Sequence, residues 1–158
     1  MKRAAKGTIE VERRIAASPE TVFSYFTDPS LYQQWQGDEA ELDPRPGGIF
    51  RVRMSGRSHI TAVGQYLEVD PPHRLVYTWG FERETALLDE HKEVAPGQSR
   101  VELQLTADGG GTLLRLRHSG LPSEGSCQFH TDGWEFTLDR LKTAAEGGDP
   151  GPNPWAEL

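Results

Sequence analysis

Two histidines and a cysteine are the residues whose types and spacing could perform acid–base or nucleophilic chemistry in this sequence. Cys127 and His130 lie one helical turn apart in a segment whose apolar residues recur at helical spacing. A cysteine paired with a histidine near a helix start can act as a thiolate nucleophile. No third orienting group and no glycine-rich nucleophile turn accompany this pair. We therefore interpret Cys127 as a small buried hydrophobic residue.

His118 and His130 could instead be the polar groups of a binding site. His118 is in register with the apolar positions of a predicted strand, and His130 lies one helical turn before Trp134. Histidine both donates and accepts hydrogen bonds, so the two rings could orient a carboxyl, hydroxyl or keto group of a ligand. The alternative is that both rings bond to the backbone or to the region of Asp132 and stabilise the helix start.

Metal and phosphate chemistry find less support. A zinc site needs three or four His, Cys or carboxylate ligands, and only Cys127 lies near the two histidines. The glycine-rich run 108–111 predicts a hairpin turn, because no helix follows it to bind a phosphate. We therefore predict no catalytic residue, no metal site and no cofactor, and we leave open whether any reaction is catalysed.

A long helix at Ser123–Ala145 is the element that must position these groups. At 1.5 Å rise per residue it would be about 30 Å long, enough to cross a small domain. Phe129 and Phe136 point away from its apolar stripe and predict a second contact, with a loop, the tail or the other subunit of a homodimer. The stripe itself comprises Cys127, His130 or Thr131, Trp134, Leu138 and Leu141.

An antiparallel sheet of about six to seven strands is predicted to precede and bury this helix. The first strand is Thr8–Ile15, and Ser18-Pro19 and Asp28-Pro29 then predict the starts of two short helices. Further strands are expected at 39–42, 49–54, 59–69, 74–81, 100–106 and 112–118.

The sequence also predicts the boundaries of the domain and of its flanking segments. Residues 1–7 are expected to be disordered, residues 8–146 to form one domain, and residues 147–158 to form a tail too rich in Pro and Gly to be helical. The charged segment 82–97 predicts either a mobile flap or a helical turn at Leu87-Leu88.

The order of these elements, together with particular residues, resembles the START-like (SRPBCC) superfamily. The resemblance is closest to the family of activators of the heat-shock-protein-90 ATPase. It rests on IEVERRIAASPETVFSYFTDPSLYQQW, PGGIFRV, GQYLEVDPPHRLVYTW, SRVELQLTADGGGTLLRLRHSGLP and HTDGWEFTLDRL. It implies an α+β helix-grip fold, in which a curved antiparallel sheet wraps the terminal helix around a hydrophobic cavity. For many bacterial members it implies no settled biochemical role.

The predicted binding site is this cavity. Alternation points one face of each strand inward, towards the apolar stripe of the helix, and Trp35 and Phe26 would close one end. The alternative is that these side chains simply fill a core. The candidate ligand-binding residues are Trp35, Phe50, Val52, Met54, Tyr66, Tyr77, Trp79, Leu116, His118, His130, Trp134 and Leu138.

Three functions follow from this fold. The first is binding of a small hydrophobic or amphipathic molecule, such as a lipid or polyketide. The second is a polyketide cyclase- or aromatase-like enzyme with His118, His130 or Tyr66 as its acid–base group. The third is a co-chaperone-like interaction module that uses the convex sheet or the face of Phe129 and Phe136.

Composition and charge limit the classes of partner that the protein is expected to bind. A net charge of −7 and a pI near 5.2 argue against nucleic acid or an acidic membrane surface. One cysteine excludes an internal disulfide, and no apolar run is long enough for a membrane span, so we expect a cytoplasmic protein. Outward-facing charges predict a solvated ladder or a partner-binding face: Arg51, Arg53, Arg115, Arg117, Glu10, Glu12 and Glu102.

Overall fold

The computed structural model describes residues 2–55, 60–82 and 94–153. The predicted flap or turn at Leu87-Leu88 lies outside them. The described residues form eight strands and three helices. In chain order these are β1 (Lys2–Ala5), β2 (Thr8–Ile15), α1 (Pro19–Thr27), α2 (Pro29–Tyr32), β3 (Glu39–Leu42), β4 (Ile49–Ser55), β5 (Ile60–Asp70), β6 (Arg74–Phe81), β7 (Ser99–Asp108), β8 (Gly111–Ser119) and α3 (Glu124–Ala145).

The strands form a single curved sheet that wraps α3. Their order is β1-β2-β8-β7-β6-β5-β4-β3, and every neighbouring pair is antiparallel. This is the helix-grip architecture that the sequence predicted. The structure differs at the amino terminus, where disorder was expected, because Lys2–Ala5 add an edge strand whose Lys2 pairs with Glu10 of β2.

Local sequence explains how each helix begins. Ser18 caps α1 by accepting a hydrogen bond from the Thr21 amide at 3.2 Å. Asp28 caps α2 in the same way, and the hydroxyl of Ser30 that bonds to it lowers the pKa of its carboxyl group. Ser123 caps α3. Each cap satisfies amide groups that have no partner within the helix, so the predicted starts of α1 and α2 are confirmed.

The β7–β8 hairpin closes on two glycines, as the glycine-rich run predicted. Asp108 pairs with Gly111, and the two residues between them, Gly109 and Gly110, have φ angles of 54° and 84°. A left-handed backbone at both central positions is the geometry of a two-residue hairpin turn, and glycine adopts it without steric cost.

The apolar stripe of α3 faces the sheet. Its predicted members are all buried, from Cys127 at the first turn to Leu141 near the end. Phe129 packs at the margin of the core, whereas Phe136 is 52% exposed on the other side of the helix. Within the described ranges, no helix has the length and apolarity that crossing a bilayer requires.

Arg140 ties the carboxy-terminal segment to the domain. Its guanidinium donates to the carbonyl oxygens of Pro150 at 2.6 Å and Gly151 at 3.2 Å, and to that of Trp35 at 3.1 Å. The side-chain amide of Asn153 then donates to the Met54 carbonyl at 2.8 Å. The described part of the predicted tail, residues 147–153, is non-helical, as its Pro and Gly content predicted, but contacts with distant elements hold it in place.

The outward faces of the strands carry ion pairs. Arg115 lies 3.3 Å from Glu12 on the neighbouring strand, and Arg51 lies 2.8 Å from Glu82. These side chains are about half exposed, so each pair contributes little to stability, in the range of about 0–1 kcal/mol. The charged ladder predicted on this face is present.

Candidate functional site

The predicted ligand-binding residues lie together between the sheet and α3. None of them is more than 6% exposed. They come from the segment after α2, from strands β4, β5, β6 and β8, and from α3. Burial of this kind is expected both for a packed core and for the wall of an internal pocket, so their role in binding remains a prediction. The polar atoms among them carry more information.

Aromatic rings form a continuous row across the inner face of the sheet. Phe50 stacks on Tyr77 with ring centroids 4.4 Å apart, and Tyr66 meets Tyr77 edge-on at 6.0 Å. Phe50 also contacts Trp79 at 5.8 Å, which in turn lies 5.3 Å from Trp134 on α3. Trp79 therefore joins the tyrosine end of the row to the helix.

A cluster of packed aromatic rings joins α1, α2 and the segment after α2. Trp35 packs against Phe26 at 5.0 Å and against Tyr32 at 4.8 Å, and its indole N–H donates to the carbonyl of Tyr25 at 2.9 Å. The hydroxyl of Tyr32 donates to the side-chain oxygen of Gln36. Sequence reasoning missed Tyr32, since a four-residue helix is too short to show a periodicity.

His118 is a fixed bridge between three elements. The indole N–H of Trp134 donates to its Nδ1 at 3.0 Å, so the ring proton lies on Nε2. Nε2 donates to the hydroxyl of Ser99 at 2.8 Å, and that hydroxyl donates to the carbonyl of Trp79 at 2.6 Å. Both ring nitrogens of His118 are therefore occupied, which favours a structural role over direct contact with a ligand.

His130 has one ring nitrogen occupied and one without a partner. Nδ1 lies 2.8 Å from the carbonyl oxygen of Ser126, and a carbonyl only accepts, so the proton is on Nδ1. Nε2 is then an acceptor, and it is buried with no hydrogen-bond partner in the described part of the chain. The backbone bond is the one that our alternative interpretation of His130 expected.

Three further buried polar atoms share this property. Among the described residues, the Tyr66 hydroxyl, the Tyr77 hydroxyl and Trp79 Nε1 are buried and have no partner. Burial raises the pKa of both tyrosines, so the hydroxyls stay protonated and can donate. The inward register of these side chains was predicted from the sequence, but their lack of partners was not, since no local pattern encodes it.

Both histidines are held neutral. Burial lowers the pKa of His118 well below its ordinary value, and the nearby His130 lowers it further. Burial lowers the pKa of His130 to about 4, although its bond to the Ser126 carbonyl opposes the shift. A ring-centroid distance of 4.9 Å makes a double positive charge costly as well.

Stability should therefore fall under mildly acidic conditions. An unfolded histidine titrates near pH 6.5, so the unfolded state binds more protons than the folded state between about pH 6.5 and 4. The stability contributed by a neutral His130 is complete above this window and is lost as the pH falls through it. We expect a loss of about 2 kcal/mol between pH 7 and pH 5 from His130, with a further loss from His118.

Urea denaturation at pH 7, 6 and 5 measures this dependence. The carboxyl groups of Asp28 and Glu146 have lowered pKa values, so the stability that they contribute is present at pH 7 and is lost mainly below the pH range of this experiment. A His130→Phe variant should show a smaller loss of stability over the same range, because one titrating group is removed. An equal slope in the variant and the unaltered protein would contradict the assignment.

Cys127 is 1% exposed, as expected for a small buried hydrophobic residue. In the described ranges, no group of three or more His, Cys, Asp and Glu side chains is arranged to hold a metal ion.

A curved antiparallel sheet that wraps a long terminal helix, with two short helices after the first long strand, defines a START-like protein. The chain belongs to the family described as "Activator of Hsp90 ATPase homolog 1-like protein", whose model matches residues 16–146.

Solved structures agree with this assignment. The chain is 44% identical to an AHSA1-like protein from Rhizobium etli, with a TM-score of 0.70 over 93% of this chain and 86% of that one. It is 30% identical to CalU16 from Micromonospora echinospora, with a TM-score of 0.66 over 89% and 76% of the two chains. An HSP90 activator from Plasmodium falciparum shares the fold at 23% identity, with a TM-score of 0.68 over 87% and 94%. No curated protein matches the chain significantly.

Proposed function

We propose that this protein binds a small, mostly apolar molecule in the space between the sheet and α3. The observation that carries the proposal is the set of buried polar atoms without partners on Tyr66, Tyr77, Trp79 and His130. A buried donor or acceptor without a partner destabilises the folded state by about 1–3 kcal/mol. Folded proteins contain few such atoms, and several of them in one region suit a ligand or bound water.

The arrangement of these atoms also suits a ligand. The aromatic row that runs from Tyr66 through Phe50 to Trp79 offers ring faces and edges to an apolar body. Three of the unpartnered atoms belong to members of that row, and the fourth belongs to His130, whose ring centroid lies 6.5 Å from that of Trp79. An apolar surface with a few convergent polar groups is the usual composition of a small-molecule site.

The two other functions remain predictions. Catalysis would have to use the Nε2 atom of His130 or a tyrosine hydroxyl, because both nitrogens of His118 are occupied. A protein-interaction role rests on the likeness to the Plasmodium HSP90 activator, which at 23% identity shows the fold alone.

Ligand binding can be tested by removing single hydroxyl groups. We expect Tyr66→Phe and Tyr77→Phe to leave the free protein as stable as before or slightly more stable, since each deletes a buried hydroxyl without a partner. The same changes should weaken the binding of a ligand found by calorimetric screening of lipids, polyketides and flavonoids, by up to roughly tenfold each.

Tyr25→Phe is the matched control. Its hydroxyl donates to the Ala144 carbonyl at 3.2 Å, away from the aromatic row, so binding should be unchanged. Native mass spectrometry of the purified protein would show any ligand retained from the expressing cell. The proposal fails if no compound in the screen binds saturably and no small molecule is retained.

A further inference from the structure

The charge of the site limits which ligands it can take. Among the described residues, no Asp, Glu, Lys or Arg side chain is buried. The two histidines are neutral, because burial lowers the pKa of each. An ionised group bound among these residues would therefore have no opposite charge beside it in the part of the chain that the structure describes, which is strongly unfavourable.

The hydrogen-bonding capacity of the site limits the ligand further. His130 Nε2 can only accept, since the ring proton is on Nδ1 and bonds to the Ser126 carbonyl. Trp79 Nε1 can only donate. The two rings lie with centroids 6.5 Å apart and nearly perpendicular, at 81°. A group that satisfies the site must donate to one ring and accept from a donor such as Trp79 or a tyrosine hydroxyl.

We propose that the ligand is an uncharged molecule with a hydroxyl group, which donates to Nε2 of His130 and accepts from the indole of Trp79 or a tyrosine hydroxyl. This inference rests on the proposed binding function and specifies the ligand class. A hydroxyl group both donates and accepts, so it can satisfy an unpaired acceptor and an unpaired donor at the same time.

Other polar groups suit the site less well. A ketone or ether only accepts and leaves Nε2 of His130 unpaired. A carboxylate also only accepts and adds a charge with no counter-ion. An ammonium group could donate to Nε2, but it leaves the Trp79 N–H without an acceptor and buries a positive charge.

A matched series of naphthalene probes tests the inference at pH 7 on the unaltered protein. 2-Naphthol donates and accepts, 2-methoxynaphthalene accepts only, 2-naphthoate is an anion and 2-naphthylmethylammonium is a cation. Calorimetry should give a dissociation constant for 2-naphthol that is roughly tenfold below those of the other three. In His130→Phe, the difference between naphthol and its methyl ether should disappear.

The outcomes separate the two proposals. Equal binding of naphthol and methoxynaphthalene, or tighter binding of either ion, overturns the hydroxyl inference and leaves the binding function standing. Saturable binding by none of the four probes overturns the hydroxyl inference, and the binding function fails with it only if the wider screen and native mass spectrometry also find no ligand. Independently of any variant, nitrogen-15 NMR of the imidazole rings should show the proton of His130 on Nδ1. A proton on Nε2 would make that atom a donor and overturn the inference.

Discussion

Replacing Trp134 by alanine is expected to lower the free energy of unfolding by about 3–5 kcal/mol. The side chain is 3% exposed and packs against Trp79 with ring centroids 5.3 Å apart. Its truncation leaves a large cavity under α3 and also removes the hydrogen bond to His118 Nδ1. For a chain of this size the midpoint of thermal unfolding should fall by roughly 10 °C or more.

Two further variants separate packing from hydrogen bonding. Trp134→Phe retains most of the ring but leaves the buried Nδ1 of His118 without its donor, at a cost of about 1–3 kcal/mol. Phe136→Ala truncates a side chain of the same helix that is 52% exposed, and should lower the free energy of unfolding by less than about 1 kcal/mol. Urea denaturation followed by circular dichroism gives all three values. Wild-type stability for Trp134→Ala would contradict the burial of this residue between α3 and the sheet.

Gly64→Ala is expected to destabilise the sheet by about 3 kcal/mol or more. A Cβ atom at Gly64 would lie 1.8 Å from the carbonyl oxygen of Thr78 on the adjacent strand β6. Backbone cannot move aside as a side chain can, so β5 and β6 would have to separate at this point. Tyr66 lies two residues along β5, so the change should also weaken ligand binding.

Gly133→Ala is the matched control and should have the opposite sign. Gly133 lies in the middle of α3, and a Cβ there would have no atom within 4 Å outside the helix's own backbone and the adjacent residues. Alanine is favoured over glycine in a helix interior by about 1 kcal/mol, so this variant should be more stable. Thermal unfolding of the two variants side by side tests the contrast, and a stable Gly64→Ala protein would show that the strands are not in close contact.

The opposite effects on stability expected for these two glycine substitutions illustrate a property that the sequence does not predict. Both occur inside elements that the periodicity predicted correctly, a strand at 59–69 and a helix at Ser123–Ala145. Neither propensity nor alternation distinguishes a glycine that a neighbouring strand approaches from one that faces open space. That difference depends on the distance between two chains of backbone, which local sequence does not encode.

The histidines illustrate the same limit at the candidate site. Alternation predicted that His118 faces inward, and helical spacing predicted the same for His130. Neither pattern predicted that Trp134 and Ser99 occupy both nitrogens of His118, or that Nε2 of His130 has no partner among the described residues. His118 lies on β8, and its two partners come from β7 and α3. Only the folded structure brings these three elements together.

The sequence by itself determined the order of the elements, the caps of the short helices, the closing turn of the last hairpin and the residues that face inward. Each of these depends on neighbours within about one turn or one strand, where the periods of 3.6 and 2 apply. The tertiary structure decided the additional strand at Lys2–Ala5, the contacts of Arg140 and which buried polar atoms of the described residues lack a partner. Those features arise where segments distant in the chain meet, because a hydrogen bond there requires two groups to lie within about 3 Å.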